Sequence, residues 1–314
     1  MANMRILITT PAGNIGQRVL RELLAPEFSA RVIARDPARL PGEIREQVEA
    51  VRGSTDDPAA LCRALEGVES LFWCVPTESL QETSVRGHYE RFARAASRAV
   101  REAGTPRVVT ISARGKGLAR TAGRISGLHA MEDILNESGA AIRHLRCGSF
   151  MENFLCQARP IGERGVLSYP MPGHIPIAMV AVSDIADAVL RWLVRRDWTG
   201  IAGVAVLGPQ DLSFSQATAV MERILERPVR YKEASANHYV QTLVGCGASA
   251  EYARSLVEMY AELARGIART EPRAVESTTA TTLAAWTERE LLPLVESLGS
   301  KSKNEPTSVC ICQA

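Results

Sequence analysis

The stretch RILITTPAGNIGQRVLREL, residues 5–23, passes from an apolar run to a helical pattern within a few residues. Residues 5–9 are of strand type, and Ile15, Val19, Leu20, Leu23 and Leu24 then recur at the helical period. A chain going directly from strand to helix turns sharply, and glycine turns without steric penalty while letting another molecule reach the backbone. Gly13 and Gly16 sit at that junction, with Thr10 and Pro11 ahead of them. A helix N-terminus carries unpaired N–H groups and about half a positive charge, so small residues before it suit a phosphate or diphosphate. Thr10, Gly13, Asn14, Ile15 and Gly16 are therefore the candidate cradle. The usual fingerprint has a third glycine where Thr10 stands, and Pro11 offers no N–H.

Outward from this junction the pattern alternates. Residues 30–36, 48–53, 69–76, 107–113, 142–150 and 203–208 read as strands, and 57–67, 89–104, 127–139 and 182–195 as helices. Continuous apolar strands alternating with helices predict a parallel sheet covered on both faces, a doubly wound α/β fold. From residue 209 the texture becomes mostly helical, with one short strand at 229–234, and this smaller region is expected over the carboxyl ends of the strands, where such sheets bind ligands. The expected organisation is a dinucleotide-binding Rossmann domain over 1–155, its sheet completed by about 178–208. A substrate or lid region over 209–298 and a disordered tail over 299–314 follow.

Composition narrows the partners. With 37 basic and 35 acidic residues the formal net charge is +2, so no overall field draws nucleic acid or an anionic membrane. No helix-turn-helix or aromatic stacking platform accompanies the basic clusters, which excludes direct nucleic-acid binding. No window reaches the length of a membrane span, and no secretory signal opens the chain. Seven cysteines, an odd number, read as reduced thiols, and the cytoplasm is the expected compartment. His88, His144, His174 and His238 are dispersed without metal-ligand spacing, so no metal is expected. The partner is a small molecule.

Several stretches in order, TPAGNIG (10–16), ARDPARL (34–40), RGSTDDPAAL (52–61), RVVTISA (107–113), LRCGSFMENF (145–154) and VAVSDIADAV (180–189), resemble the NmrA-like proteins. These are a divergent branch of the short-chain dehydrogenase/reductase superfamily, and the likeness spans about residues 4–298. It implies a Rossmann sheet, a nicotinamide dinucleotide and a substrate cleft roofed by the C-terminal region. After the second strand an arginine pairs with the 2′-phosphate of NADP(H), whereas an acid accepts the ribose hydroxyls of NAD(H). Arg35 favours NADP(H); Asp36 keeps NAD(H) open, although Asp36-Pro37 also suits the start of a short helix. Ser54 stands where the family often has an acid near the adenine. Val75, Pro76 and Thr77 are expected beside the linking ribose, and Cys147, where the family has a proline, near the nicotinamide.

Short-chain dehydrogenases protonate the developing alkoxide with a Tyr activated by a Lys four residues later, beside a Ser. Here Ser112 is present and the Tyr/Lys pair is not. His129 lies within one position of the place where the family often has a Lys or His, and Leu128 is the other candidate for that slot. Ser112 and His129 are the catalytic candidates, against a packing role for His129. Phe150 and Asn153 are expected to border the substrate cleft, with Phe154 as wall or core. Two functions follow: an NADPH-dependent oxidoreductase passing hydride to a small carbonyl, quinone or conjugated imine, or a non-catalytic NAD(P) sensor read by a protein partner.

Overall fold

The computed structural model describes residues 3–104, 107–117, 121–267 and 270–300. Seven strands form one parallel sheet: β1 (Met4–Ile8), β2 (Phe28–Ala34), β3 (Glu49–Arg52), β4 (Ser70–Trp73), β5 (Arg107–Ala113), β6 (Ala141–Cys147) and β10 (Ile201–Val206). Their order is β10-β6-β5-β4-β1-β2-β3, so the chain winds outward in both directions from β1. The helices between them are α1 (Asn14–Glu22), α2 (Gly42–Arg45), α3 (Pro58–Leu65), α4 (Val85–Ala103), α5 (Arg124–Asn136) and α7 (Val182–Leu193).

Strand alternation divides the core into two layers. Ile6, Ile8, Val32, Phe72 and Leu145 pack under α1 and α7, whereas Leu7, Ile33, Leu71, Val108 and Ile142 pack under α3, α4 and α5. The expected doubly wound sheet is what the chain forms. The helix expected over 127–139 begins earlier, at Arg124, because Gly123 turns the entering chain at φ +53°.

A third core belongs to the C-terminal half. The chain leaves the sheet after β6 through β7 (Ser149–Phe150), α6 (Ala158–Arg164), β8 (Val166–Leu167) and β9 (Ile177–Val180) before returning by α7. After β10 follow β11 (Asp211–Leu212), α8 (Phe214–Leu225), β12 (Arg230–Tyr231), α9 (Ala236–Gly245), α10 (Ala250–Ala264), α11 (Leu283–Trp286) and α12 (Leu292–Ser300). Residues from both excursions interlock: Phe154, Tyr169, Phe214 and Trp286 share one aromatic core. The strand expected over 229–234 shrinks to Arg230–Tyr231, which pairs in parallel with β8. Of the tail expected over 299–314, residues 299 and 300 close α12, and residues from 301 onward, including Cys310 and Cys312, lie outside the described residues.

Two interactions in this frame have measurable consequences. A Cβ on Gly16 would stand 2.2 Å from the Thr10 carbonyl oxygen, a backbone atom that cannot swing aside. Gly16→Ala should therefore destabilise the protein by about 1–3 kcal/mol, read as a lower midpoint in denaturant. The second lies between β5 and β6, whose register pairs Thr110 with His144. The His144 ring sits 2.8 Å from the Thr110 hydroxyl through Nδ1 and 2.9 Å from Asn136 Oδ1 through Nε2. The amide oxygen only accepts, so Nε2 carries the proton and Nδ1 accepts from Thr110. Burial lowers the His144 pKa to about 4. Below its ordinary value, near 6.5, the unfolded chain takes up a proton that the folded chain refuses. This stability is whole above about pH 6.5 and is lost as pH falls to about 4, on the order of 3 kcal/mol. Urea unfolding at both ends of that window should show the loss, and His144→Gln should flatten it.

Candidate coenzyme and substrate cleft

One cleft of about 960 Å³ runs along the carboxyl ends of the strands. Its middle is the β1–α1 junction. Thr9 locks that junction to β4: its hydroxyl lies 3.0 Å from the Phe72 carbonyl and accepts from the Cys74 amide at 2.9 Å. The left-handed residue of the turn is Thr10, at φ +49°, in the place of the missing glycine. Gly13 has an ordinary φ of −79° and donates its N–H to the Thr10 carbonyl at 2.9 Å. Gly16 is required for closeness, since any Cβ would enter the Thr10 carbonyl.

Helix α1 starts with no side-chain cap and no acid in its first turn. The amides of Asn14, Ile15 and Gly16 have no acceptor within the helix. Thr10, Pro11, Gly13, Asn14, Ile15 and Gly16 all line the cleft, and Pro11 forms its wall without closing it. The uncapped amides and the Cβ-free cradle fit the diphosphate of a dinucleotide.

Sheet order sorts the two ends. On the β2–β3 side stand Arg35, Arg39, Ser54 and Asp56. Arg35 and Arg39 are exposed, and neither side chain has an ion-pair or hydrogen-bond partner among the described residues. Asp36 is occupied in the way its sequence suggested, accepting from the Ala38 amide at 3.2 Å to cap a short 3-10 turn. Ser54 hydrogen-bonds the Asp56 carboxylate, and Asp56 also lies 3.4 Å from Arg91. An acid is thus present at this end, two residues beyond Ser54. Val75, Pro76 and Thr77 line the cleft between the two ends.

On the β5–β6 side the lining comprises Ser112, Ala113, Cys147, Gly148, Phe150 and Asn153, with Arg124, Ile125 and Leu128 of α5 and Met259, Tyr260 and Leu263 of α10 above. Ser112 Oγ donates to Glu132 Oε1 at 2.5 Å. Burial opposes ionisation of Glu132, but hydrogen bonds from Arg146 and Ser112 hold its carboxyl below the usual range. Arg146 grips both oxygens, at 3.0 and 2.7 Å, and reaches Glu271 of the C-terminal segment at 3.0 Å. An ionised carboxylate only accepts, so the Ser112 proton is committed to Glu132 and the hydroxyl turns lone pairs outward.

His129 does not line the cleft. Its ring is buried with Nε2 3.0 Å from the Ala113 carbonyl, and burial lowers its pKa. This corrects the expectation of a proton donor at His129. A helix rotates about 100° per residue, and that step gives the slot to Leu128. Cys147 is buried with its pKa pushed up by burial, and Cys74 is pushed up to about 11 in the same way, so both are protonated free thiols. Phe154 is core, not wall.

The sequence reading missed a buried ion pair. Glu78, after β4, is 1% exposed and lies 2.9 Å from Arg124 at the start of α5. Arg124 also donates to the Tyr252 hydroxyl of α10 at 3.1 Å. No spacing signals such a contact, since the three residues come from distant segments. Among the described residues no group of three His, Cys, Asp or Glu could hold a metal, and no helix is long and apolar enough to cross a membrane.

Comparison with known proteins places this geometry. A model of an NAD(P)H-binding family matches residues 12–193, more than half of the 314-residue chain. The NAD(P)H azoreductase of Xenophilus azovorans is 28% identical over 260 residues, covering 82% of this chain and 86% of that protein. The (4-alkanoyl-5-oxo-2,5-dihydrofuran-3-yl)methyl phosphate reductase of Streptomyces griseus is 30% identical over 235 residues, covering 73% and 76%. Among solved structures, the NADPH-dependent quinone oxidoreductase of Escherichia coli in complex with NADPH superposes with a TM-score of 0.77 at 24% identity, over 94% of this chain and 100% of that one. A mutant NmrA superposes with a TM-score of 0.68 at 16% identity, over 96% and 99%, and these two likenesses establish the fold. With that model matching more than half of its length, the chain belongs to the NAD(P)H-binding family.

Proposed function

We propose that this protein is an NADPH-dependent reductase that passes hydride to a small carbonyl, quinone or conjugated imine, acting in the cytoplasm without contact to nucleic acid or membrane. The observation that carries this reading is the continuity of the cleft. The cradle at α1 opens directly into a chamber walled by Ile125, Leu128, Phe150, Met259 and Leu263, so that an apolar acceptor and the coenzyme would share one water-poor space. When bound, the coenzyme supplies the hydride. The chain's own residues do the rest. The α1 amides hold the diphosphate, Val75 to Thr77 border the ribose, and Ser112 accepts a hydrogen bond from a donor lying over β5.

The preference for NADP(H) rests on Arg35 and Arg39, two guanidinium groups at the adenine end without a partner among the described residues. Arginine matches the bidentate geometry of a phosphate, and Asp36 is already engaged as a cap. A sensor reading draws on one feature: the loop after β4 is tied to the C-terminal region through Ser249 N to Leu80 O at 2.7 Å. That loop borders the ribose, so occupancy could be relayed to the roof. We favour the reductase because the apolar chamber has the size and lining of a reaction space.

NADPH oxidation against a panel of quinones, enones, imines and ketones tests the assignment; micromolar coenzyme binding with no turnover would leave the sensor. In the Arg35→Ala/Arg39→Ala double variant the Kd for NADPH should rise on the order of tenfold or more while that for NADH changes little. An unchanged ratio of the two constants would remove the NADP(H) preference. Ser112→Ala should lower kcat on the order of tenfold by loosening the donor that its hydroxyl orients over β5, whereas His129→Ala should leave kcat nearly unchanged because its ring faces away from the cleft.

A further inference from the structure

We infer that Arg124 is the group that receives the negative charge when hydride reaches the acceptor, with Glu78 and Tyr252 as the residues that aim it; the inference rests on the reductase reading above. The slot where the NmrA-like proteins often have a lysine or histidine is here apolar, Leu128, and His129 faces away. One helical turn before Leu128, on the same face of α5, stands Arg124, and it too lines the cleft.

The guanidinium is held on two sides. Its Nη2 lies 2.9 Å from the Glu78 carboxylate, which is 1% exposed, and 3.1 Å from the Tyr252 hydroxyl. The guanidinium carbon also stands 5.5 Å from the centre of the Tyr252 ring. Arg124 Nε is buried without a hydrogen-bond partner among the described residues, so part of the guanidinium's donor capacity is unmet at the edge of the acceptor chamber. A charge positioned in advance, in a space with little water, stabilises an anion far better than the same charge in solution.

The reaction balances as follows. Hydride brings two electrons and one hydrogen to the acceptor, the π pair of the acceptor moves to its oxygen, and that oxyanion lies against Arg124 until water supplies one proton. Burial opposes the charge on Arg124, but Glu78, Tyr89 and Tyr252 together more than offset this and raise the guanidinium pKa above its already high value. Arg124 therefore stabilises the anion without protonating it. Such a site favours acceptors whose reduced anion is delocalised, as with quinones and enones, over simple ketones, whose localised alkoxide needs an acid.

The test uses para-nitrophenol, a planar phenol whose ionised form absorbs visible light, titrated into protein holding oxidised coenzyme about one pH unit below the phenol's solution pKa. The wild type should bind it ionised, with the visible band present. Arg124→Gln should abolish the band. Because that change strands the buried Glu78 carboxylate, Glu78→Gln/Arg124→Gln, which removes both charges, is measured beside it and should also lack the band. The double variant should lose kcat with a quinone on the order of a hundredfold, with the Kd for NADPH unchanged. A double variant that keeps the band and the quinone kcat overturns the role of Arg124 and leaves the reductase reading intact. A wild type that binds NADPH and reduces none of the acceptors overturns the reading beneath it.

Discussion

The approach of α1 to the end of β1 is so close that residue 16 has no room for a side chain. A Cβ there would meet the Thr10 carbonyl at 2.2 Å, and the same carbonyl accepts the Gly13 amide. This contact sets the direction of α1 and therefore where its free amides point. Thr9, one residue earlier, ties β1 to the end of β4, so the β1–α1 junction and the loop after β4 form one unit. The price is Thr10 at φ +49°, a conformation costing on the order of 1–3 kcal/mol for a residue with a side chain. The surrounding hydrogen bonds hold it there.

Away from the cradle, buried charge organises the site. Two networks join the sheet to the C-terminal half: Ser112, Glu132, Arg146 and Glu271 along β5, β6 and α5, and Glu78, Arg124 and Tyr252 across the mouth of the chamber. Buried ion pairs add little net stability, because desolvation offsets most of their attraction, yet removing one partner is expensive. Their effect here is directional. They bring the segment around Glu271 and the helix of Tyr252 over the carboxyl ends of the strands. They also fix which way the Ser112 proton points, which makes that hydroxyl an acceptor toward the cleft.

The doubly wound sheet and its helical C-terminal partner were legible in the residues themselves. The period of two or of 3.6 in the apolar positions follows from which face each element buries, and that is a local property. The same locality accounts for the cap at Asp36-Pro37 and for the uncapped start of α1. It also accounts for the errors at element ends: α5 begins at Arg124 and not at residue 127 because Gly123 turns the chain in, a fact of three-dimensional entry and not of periodicity.

What the sequence by itself determined is therefore the layer architecture, the glycine-bearing turn between β1 and α1 and the arginine at the end of β2, since each depends on residues within about one helical turn of one another. The tertiary structure alone decided the chemistry of the chamber. One residue of rotation put Leu128 in the cleft and turned His129 to the Ala113 carbonyl. Packing of three remote segments set Arg124 between Glu78 and Tyr252, residues 46 and 128 positions away in the chain. A charge acquires a role from the groups that face it in a low-dielectric space, and those groups are chosen by packing.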